Sequence, residues 1–344
     1  MATYNGETYI ADQLASIARQ TVTPCELVVC DDGSKDRTVE VVQAFAAGAA
    51  FPVKIFRNAT NLGYEQNFLK AASLTTGELV AFCDQDDMWQ ENKLASCSSA
   101  FAGDPDILLC VHSGDLWDGT KRTGLRVPDY RRRAVYGPLK TYPLQGSFGF
   151  AMVVRRELLQ LGERLPLMPH FQGHDLRMWT LASVFGKTVL LPDALVLYRQ
   201  HGKNVFGAGG SSPSAVLAGG FQVRDYASQA KREDYAAAYF DELASHTTGQ
   251  EHEAVQRAAA RMRYCAGLNR VRQTVYDAPL HGRVWAFAKL GFRRGYTDPA
   301  VRSNGIARPP SAPFWRAPLK DWFIGVLRVS GVTRAARRRM AGRS

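Results

Sequence analysis

The chain lacks any apolar run long enough to cross a membrane. No uninterrupted apolar stretch in its 344 residues reaches the ~18–20 that a spanning helix requires. Its first residues also lack the basic segment and apolar core that are typical of a secretory signal. These absences predict a globular protein that stays in the cytoplasm.

Cysteine is sparse, and its spacing is irregular. The six cysteines include no Cys-x-x-Cys pair, the spacing on which zinc sites and dithiol redox sites depend. Three of them, Cys30, Cys83 and Cys110, lie in apolar, strand-like runs. The pattern predicts reduced, buried thiols and argues against a disulfide framework.

Basic residues outnumber acidic ones. The 43 Lys and Arg against 32 Asp and Glu give a formal charge of +11, which indicates an anionic partner. Nucleic acid, an acidic membrane surface and a phosphorylated substrate all satisfy that requirement. Charge alone does not choose among them.

The acidic residues that are present cluster after an apolar run. Leu79 to Cys83 predict a fully buried parallel strand, and Asp84, Asp86 and Asp87 follow within four residues. Neighbouring carboxylates repel one another unless a cation lies among them, and open α/β sheets bind ligands at the carboxyl ends of their strands. The cluster therefore predicts a metal-diphosphate site, with a simple helix cap as the weaker alternative.

A second acidic pair ends an earlier strand. Glu26 to Cys30 predict a strand, and Asp31 and Asp32 follow it before Gly33 and Ser34. A plain strand-to-helix turn explains the glycine and serine equally well. Strands alternate with helical periods throughout this region, which predicts a doubly wound sheet with helices on both faces.

Four short motifs occur in order along this region. They are Ala-Thr-Tyr-Asn-Gly at 2–6, Asp-Asp-Gly-Ser at 31–34, Asn-x-Gly at 61–63 and Asp-Gln-Asp-Asp-Met-Trp at 84–89. In this order and spacing they resemble the family 2 inverting glycosyltransferases, and most closely the rhamnosyltransferase-like branch that builds bacterial surface polysaccharides. The resemblance implies a GT-A fold, the doubly wound mixed sheet of nucleotide-diphospho-sugar transferases, followed by a smaller helical region.

The resemblance also implies roles for individual residues. Asp31 and Asp32 would contact the nucleoside, and Asp84 and Asp86 the ribose, metal and diphosphate. His201, in a segment similar to the Tyr-Arg-x-His motif of the same branch, would help Asp86 to hold a divalent cation, Mg²⁺ or Mn²⁺. The other implied donor contacts are Thr3, Tyr4, Asn5, Asn61 and Gly63, and further candidates are Asp87, Trp89, His174 and Arg199.

Asp175 follows Gly173 and His174 at the predicted start of a helix. A carboxylate there is either a cap favoured by the helix dipole or, as the resemblance implies, the catalytic base that takes the acceptor hydroxyl's proton. Two short strands, at 189–191 and 194–198, are predicted after this helix.

The chain changes character after the catalytic region. We expect a catalytic domain at 1–206, a linker rich in Gly, Ser and Ala at 207–220, and a helical, basic region at 221–344. Helical periods occur at 223–246 and 252–275, followed by a basic, aromatic stretch through Trp285 and Tyr296.

Basic residues alternate with aromatic ones from Arg302 onward. Phe314, Trp315 and Trp322 beside arginines suit an interfacial helix on an anionic membrane. A helix packed on the catalytic domain, followed by a basic tail, explains the same pattern equally well.

The predicted function is metal-dependent, inverting transfer of a sugar, with rhamnose as the candidate, from a nucleotide-diphosphate sugar to a surface glycan or glycolipid. The predicted location is the cytoplasm, with the inner face of the membrane as a further candidate. A nucleic-acid-binding protein is one alternative, but it leaves the acidic clusters without purpose, so no nucleic acid is expected as partner. A nucleotidyltransferase is the other, and it usually carries a Gly-rich phosphate loop near the N-terminus that this chain lacks.

Only Met1 precedes the Ala-Thr-Tyr-Asn-Gly motif. The GT-A fold normally begins with several apolar residues at this point, in a strand that borders the nucleotide pocket. We therefore expect the natural start of the protein to lie upstream, with Met1 inside the first strand.

Overall fold

A computed structural model describes residues 1–168, 173–201, 225–292 and 321–326. The described residues form two compact units that divide near residue 207. The expected linker at 207–220 and most of the region from Arg302 onward lie outside the described residues. The domain boundaries therefore stay predictions.

Strands and helices alternate through the first unit, as the sequence predicts. The strands are β1 Ala2–Thr3, β2 Leu27–Asp31, β3 Val53–Arg57, β4 Leu79–Ala81, β5 Met88–Trp89, β6 Ile107–Trp117, β7 Arg122–Arg126, β8 Ala134–Tyr136, β9 Met152–Arg155 and β10 Lys187–Arg199. The helices are α1 Ile10–Ala18, α2 Thr38–Ala46, α3 Tyr64–Ser73, α4 Lys93–Phe101, α5 Arg156–Arg164 and α6 His174–Phe185.

The strands form two ladders that meet near the start of the chain. One ladder is parallel, in the order β1-β2-β3. The other is mixed, in the order β4-β9-β6-β10-β5, with β7 on β6 and β8 on β10. Ala2 N donates to Cys83 O (3.4 Å), which places β1 beside the chain that leaves β4. The two acidic motifs therefore emerge at neighbouring positions on one edge of the sheet.

Two strand predictions were wrong in detail. The run from Leu79 to Cys83 was expected to be a fully buried parallel strand, but β4 ends at Ala81, is partly exposed and pairs antiparallel with β9. Its partner comes from more than 70 residues later in the chain, which local periodicity cannot reveal. The two short strands expected at 189–191 and 194–198 are one strand, β10, whose register shifts where Pro192 interrupts the ladder.

The core of this unit lies where α4 packs on the mixed ladder. Cys97, Ala100 and Phe101 of α4 contact buried aliphatic side chains of β6, β9 and β10. Small side chains on α4 allow this close approach. All six cysteines are free thiols, and all except Cys25 are buried, as predicted.

The second unit is helical where the sequence predicts helical periods. Its elements are α7 Tyr226–Ser245, α8 Gly249–Asp277, α9 Leu280–Phe292 and a π-helical turn at Asp321–Val326. Buried polar pairs join them: Asn269 donates to both oxygens of Glu233 (2.9 and 2.8 Å), and Arg272 pairs with Asp321 (3.0 Å). Within the described ranges, no helix is long and apolar enough to span a membrane.

Leu109 tests the packing of the first unit. Because this β6 side chain is fully buried, Leu109→Ala should lower the free energy of unfolding by roughly 2–5 kcal/mol. The same change at Leu125, on the exposed strand β7, should alter it by less than about 0.5 kcal/mol. Urea unfolding followed by near-ultraviolet circular dichroism measures both, and equal losses would contradict the described core.

Candidate active site

Asp31, the last residue of β2, is buried and holds the turn that follows. Its carboxylate accepts hydrogen bonds from Gly33 N (3.1 Å), Ser34 N (2.9 Å) and Thr3 Oγ1 (3.1 Å), and the Ser34 hydroxyl donates to it as well. Gly33 has a φ of 86°, a conformation that favours glycine. The predicted site residues Thr3 and Asp31 thus lie together, on neighbouring strands.

Asp32 holds a second loop. Its carboxylate accepts from Asn58 Nδ2 (2.8 Å), Leu62 N (2.8 Å) and Gly63 N (2.9 Å), while Asn61 Nδ2 donates to its backbone oxygen (3.0 Å). The Asn-x-Gly motif is therefore fixed directly onto the Asp-Asp-Gly-Ser motif. Both acids anchor loops within the protein, and their contact with a nucleoside stays a prediction.

The first motif is joined to the acidic loop. Gln85 pairs with both backbone groups of Tyr4, accepting from its N–H (2.9 Å) and donating to its carbonyl (3.0 Å). Asn5, at a φ of 48°, donates from its backbone to Ser34 Oγ (2.9 Å). A Cβ at Gly6 would lie 2.2 Å from Gln85 Oε1, so a side chain there would displace this contact. All four motifs thus form one hydrogen-bonded surface.

Asp86 and His201 lie side by side although 115 residues separate them. Asp86 Oδ2 is 2.8 Å from His201 Nε2. The ring of Tyr9 stacks on the imidazole, with 4.7 Å between the ring centroids. The two residues predicted to hold a metal are therefore brought together.

Arg199 connects the end of β10 to the acidic loop. Its backbone N–H donates to Asp87 Oδ1 (3.1 Å), and its guanidinium donates to the carbonyl of Asp86 (2.8 Å) and to the carboxylate of Asp12 (2.9 Å). The guanidinium is buried and fixes the loop through the Asp86 carbonyl. These contacts give Arg199 a positioning role.

The carboxylates of the loop are held in a poorly solvated place. Burial raises the pKa of Asp84 to about 7, and the charges of Asp86 and Asp175 add to the shift. Burial, then Asp84 and Asp86, raises the pKa of Asp87 well above its usual value. Across the described chain, Asp87 Oδ2 finds no hydrogen-bond donor. The loop is short of positive charge, which is the environment that favours a bound cation.

Lys93 supplies one positive charge that sequence reasoning missed. It is fully buried, donates to Phe150 O (2.6 Å) and lies 4.0 Å from the centroid of the Trp89 ring. Burial lowers its pKa to about 8, and the nearby charges of Asp87 and Asp84 oppose that shift. Trp89, a predicted site candidate, is buried, and the face of its ring contacts this ammonium group.

The position of Lys93 could have been found from helical periodicity. Cys97 and Phe101, four and eight residues later, lie on the buried face of α4. The same spacing places Lys93 on that face. A lysine at a core position of a helix requires a polar or acidic partner, and the carbonyl of Phe150 provides it, with the charges of the acidic loop nearby.

Asp175 lies in the first turn of α6 and is partly buried. Its Oδ1 accepts from the N–H of Leu176 (2.8 Å). Burial raises its pKa to about 6, with a further contribution from Glu65. Asp175 is thus a carboxylate that changes protonation near neutral pH, close enough to Asp84 to influence the pKa of that group.

His174 is a packed, neutral ring. It stacks on Phe68 (4.1 Å between centroids) and contacts Phe82 (4.8 Å). Burial lowers its pKa to about 3, and neither ring nitrogen has a hydrogen-bond partner within the described ranges. A Cβ at Gly149 would lie 2.5 Å from His174 Nε2. These contacts fix the start of α6, and with it Asp175.

A divalent cation fits these groups if a substrate completes its coordination. The described part of the chain contains no three His, Cys, Asp or Glu side chains arranged to hold an ion by themselves. Mg²⁺ in nucleotide sites is usually held by one or two carboxylates together with water and phosphate oxygens. Asp86, His201 and the under-neutralised Asp84 match that incomplete set.

The mixed sheet with its flanking helices, and the two acidic motifs at neighbouring strand ends, have the arrangement of the GT-A fold. Residues 1–162, slightly less than half of the chain, match the family model of Glycosyl transferase family 2.

Named relatives agree with this assignment. An uncharacterized glycosyltransferase of Nostoc sp. is 27% identical over 217 residues, which are 59% of this chain and 64% of that protein. The dTDP-rhamnosyl transferase RfbG of Shigella flexneri is 33% identical over 98 residues, 27% of this chain and 34% of its own length. The chain thus spans less than two thirds of these relatives.

A solved structure supports the fold alone. The crystal structure of S. aureus TarS 1-349 superposes with a TM-score of 0.53 at 16% identity, covering 94% of this chain and 90% of that one.

The raised pKa of Asp84 predicts a dependence of stability on pH when divalent cations are removed by a chelator. The folded protein keeps a proton on Asp84 up to about pH 7, whereas the unfolded chain loses it near 4. Stability should therefore fall by roughly 1–2 kcal/mol as pH rises from 4 to 7. In Asp84→Asn this fall should be smaller. Thermal unfolding at each pH measures the stability of both proteins. An identical pH profile for the two would contradict the buried environment of Asp84.

Proposed function

We propose that the protein is an inverting glycosyltransferase that moves a sugar from a nucleoside-diphosphate donor to a hydroxyl group of a glycan or lipid-linked glycan. The observation that carries this proposal is the proximity of Asp175 to the acidic loop, through which its charge adds to the raised pKa of Asp84. The carboxylate of Asp175 is thus available for proton transfer, and the carboxylates of the acidic loop beside it suit a metal and a diphosphate.

Asp175 is the proposed general base. A base works best when its pKa lies near the operating pH, and the pKa of Asp175 is raised to about 6. Asp175 would take the proton from the acceptor hydroxyl as that oxygen attacks the anomeric carbon. The bond to the nucleoside diphosphate breaks on the opposite side of the sugar, so the configuration inverts.

Asp86 and His201 are the proposed ligands of a Mg²⁺ or Mn²⁺ ion, with Asp84 facing the ribose and diphosphate. A bound divalent ion would supply positive charge to the diphosphate leaving group. Arg199 holds the loop in place through its contact with the Asp86 carbonyl, and Lys93 adds a buried positive charge nearby while it donates to Phe150 O. Asp31, Asp32 and the loop they anchor would form the nucleoside side of the pocket.

The donor sugar is proposed to be a deoxyhexose such as rhamnose. Support comes from the four motifs and from the similarity to a dTDP-rhamnosyl transferase over 98 residues. A panel of dTDP-, UDP- and GDP-sugars tests this, because a bound donor raises the melting temperature by mass action. Stabilisation by dTDP-rhamnose in the presence of Mn²⁺ is expected. No stabilisation by any nucleotide sugar would contradict the proposed function itself.

Asp175→Asn should leave donor binding intact and lower turnover by about 10²- to 10⁴-fold, the usual contribution of a positioned base. In the unmodified protein, kcat should rise with pH through about 6, because the base must lose its proton before it can act. That dependence should disappear in the variant. Near-normal turnover would reduce Asp175 to a helix-terminal residue.

Asp86→Asn should keep the fold and abolish the part of donor affinity that requires Mn²⁺ or Mg²⁺, since a neutral amide is a poor ligand for a hard cation. Asp118→Asn, in the exposed turn before β7, is the matched control. Calorimetric titration of each variant with the donor, with and without chelator, distinguishes the two variants. Donor affinity that is insensitive to chelator in the unmodified protein would overturn the metal assignment.

A further inference from the structure

The outward face of α9 carries no formal charge. Its large exposed side chains are Leu280, Val284, Trp285 and Phe292, with Trp285 58% and Phe292 92% exposed. The other exposed positions of the helix are His281, Ala288 and Gly291. Four large apolar side chains on the same side of one short helix form a patch, whereas single exposed apolar residues are ordinary.

The neighbouring helices do not share this property. The exposed positions of α7 include Lys231, Arg232, Asp241 and Glu242, and those of α8 include Glu253, Arg257, Arg263 and Arg270. Both helices therefore show the charged outer face expected of a helix in water. The outer face of α9 departs from the pattern of its own unit.

The inner face of α9 is already packed. Ala286 and Leu290 are buried, and the ring of Phe287 contacts that of Trp322, with 5.1 Å between centroids. Trp322 belongs to the turn at Asp321–Val326, which is the part of the basic tail that the structure describes. Its neighbour Asp321 pairs with Arg272. This turn of the tail therefore packs on helices of its own unit, and the expected packing on the catalytic domain stays a prediction. The exposed apolar patch is therefore additional to the packing of the unit.

The charge beside the patch is positive. The α9 helix contains no acidic residue, and Lys289 is its half-buried cation, whereas Arg283 is buried. Lys289 Nζ lies 4.2 Å from the centroid of the Trp285 ring. A tryptophan beside a lysine, with leucine and phenylalanine on the same face, is typical of helices that lie at a membrane surface.

We infer that the outer face of α9, formed by Leu280, Val284, Trp285 and Phe292, docks on an anionic lipid surface. The apolar side chains would enter the headgroup boundary while Lys289 meets lipid phosphates. A second copy of the chain is a poorer occupant, because a two-fold contact would bring the same basic residues of both copies together. The inference is independent of which sugar the first unit transfers.

Vesicle co-sedimentation of the full chain tests the inference. Phosphatidylcholine vesicles with and without about 30% phosphatidylglycerol are the probes, at low ionic strength, where surface electrostatics are strongest. The unmodified protein should bind the anionic vesicles, and Trp285→Glu and Phe292→Glu should each weaken binding by at least about tenfold. Tyr235→Glu, which adds the same charge at an aromatic position of α7 that is 56% exposed, should bind as the unmodified protein does.

A second measurement guards against variants that disturb the fold. A polarity-sensitive dye on Phe292→Cys, in a chain whose exposed Cys25 is replaced by Ser, should shift its emission to shorter wavelength when anionic vesicles are added. Equal vesicle binding by the unmodified and Glu variants, or no dye shift, would overturn the inference. A dimer in light scattering that Trp285→Glu converts to monomer would overturn it too, in favour of a contact between copies. Donor binding is measured separately, so failure here leaves the proposed transferase activity intact.

Discussion

Mutual repulsion among the carboxylates after β4 is the constraint on which the site depends. Asp84, Asp86 and Asp87 occupy four consecutive positions with Gln85 and are screened from water, so the first and third have raised pKa values. The protein offsets this with a buried ammonium at Lys93 and with backbone and guanidinium donors from Arg199. The compensation is partial, because Asp87 Oδ2 lacks a donor within the described chain. The remaining deficit of positive charge is what a metal and its diphosphate would satisfy.

The other parts of the site are arranged around this loop. Gln85 attaches the first motif to it, His201 reaches it from the end of β10, and Asp175 approaches it from α6. Each contact joins residues that are far apart in sequence. The pocket is therefore assembled from separate segments that only the folded sheet brings together.

Much of the fold was predictable because its signals are local. Apolar runs and helical periods predicted the alternating architecture, and the order of four motifs carried the family resemblance that implies the GT-A fold. Pairing direction was not predictable, since β4 finds its partner in β9, and neither was the continuity of β10 across Pro192. Lys93 was missed although its periodicity with Cys97 was visible, because a lysine is usually assigned to the surface. The hydrogen bonds that occupy Asp31 and Asp32 depend on loops that only the folded chain brings together.

The most direct test of the account is electron paramagnetic resonance of Mn²⁺ titrated into the protein with and without a nucleoside diphosphate. Two protein ligands, Asp86 and His201, should hold the ion weakly when alone, and phosphate oxygens should complete the site. The account predicts that the free Mn²⁺ signal decreases much more steeply when protein and nucleoside diphosphate are both present than with either alone. A free-ion signal that the protein leaves unchanged at any nucleotide concentration would contradict it, as would equally tight Mn²⁺ binding without nucleotide.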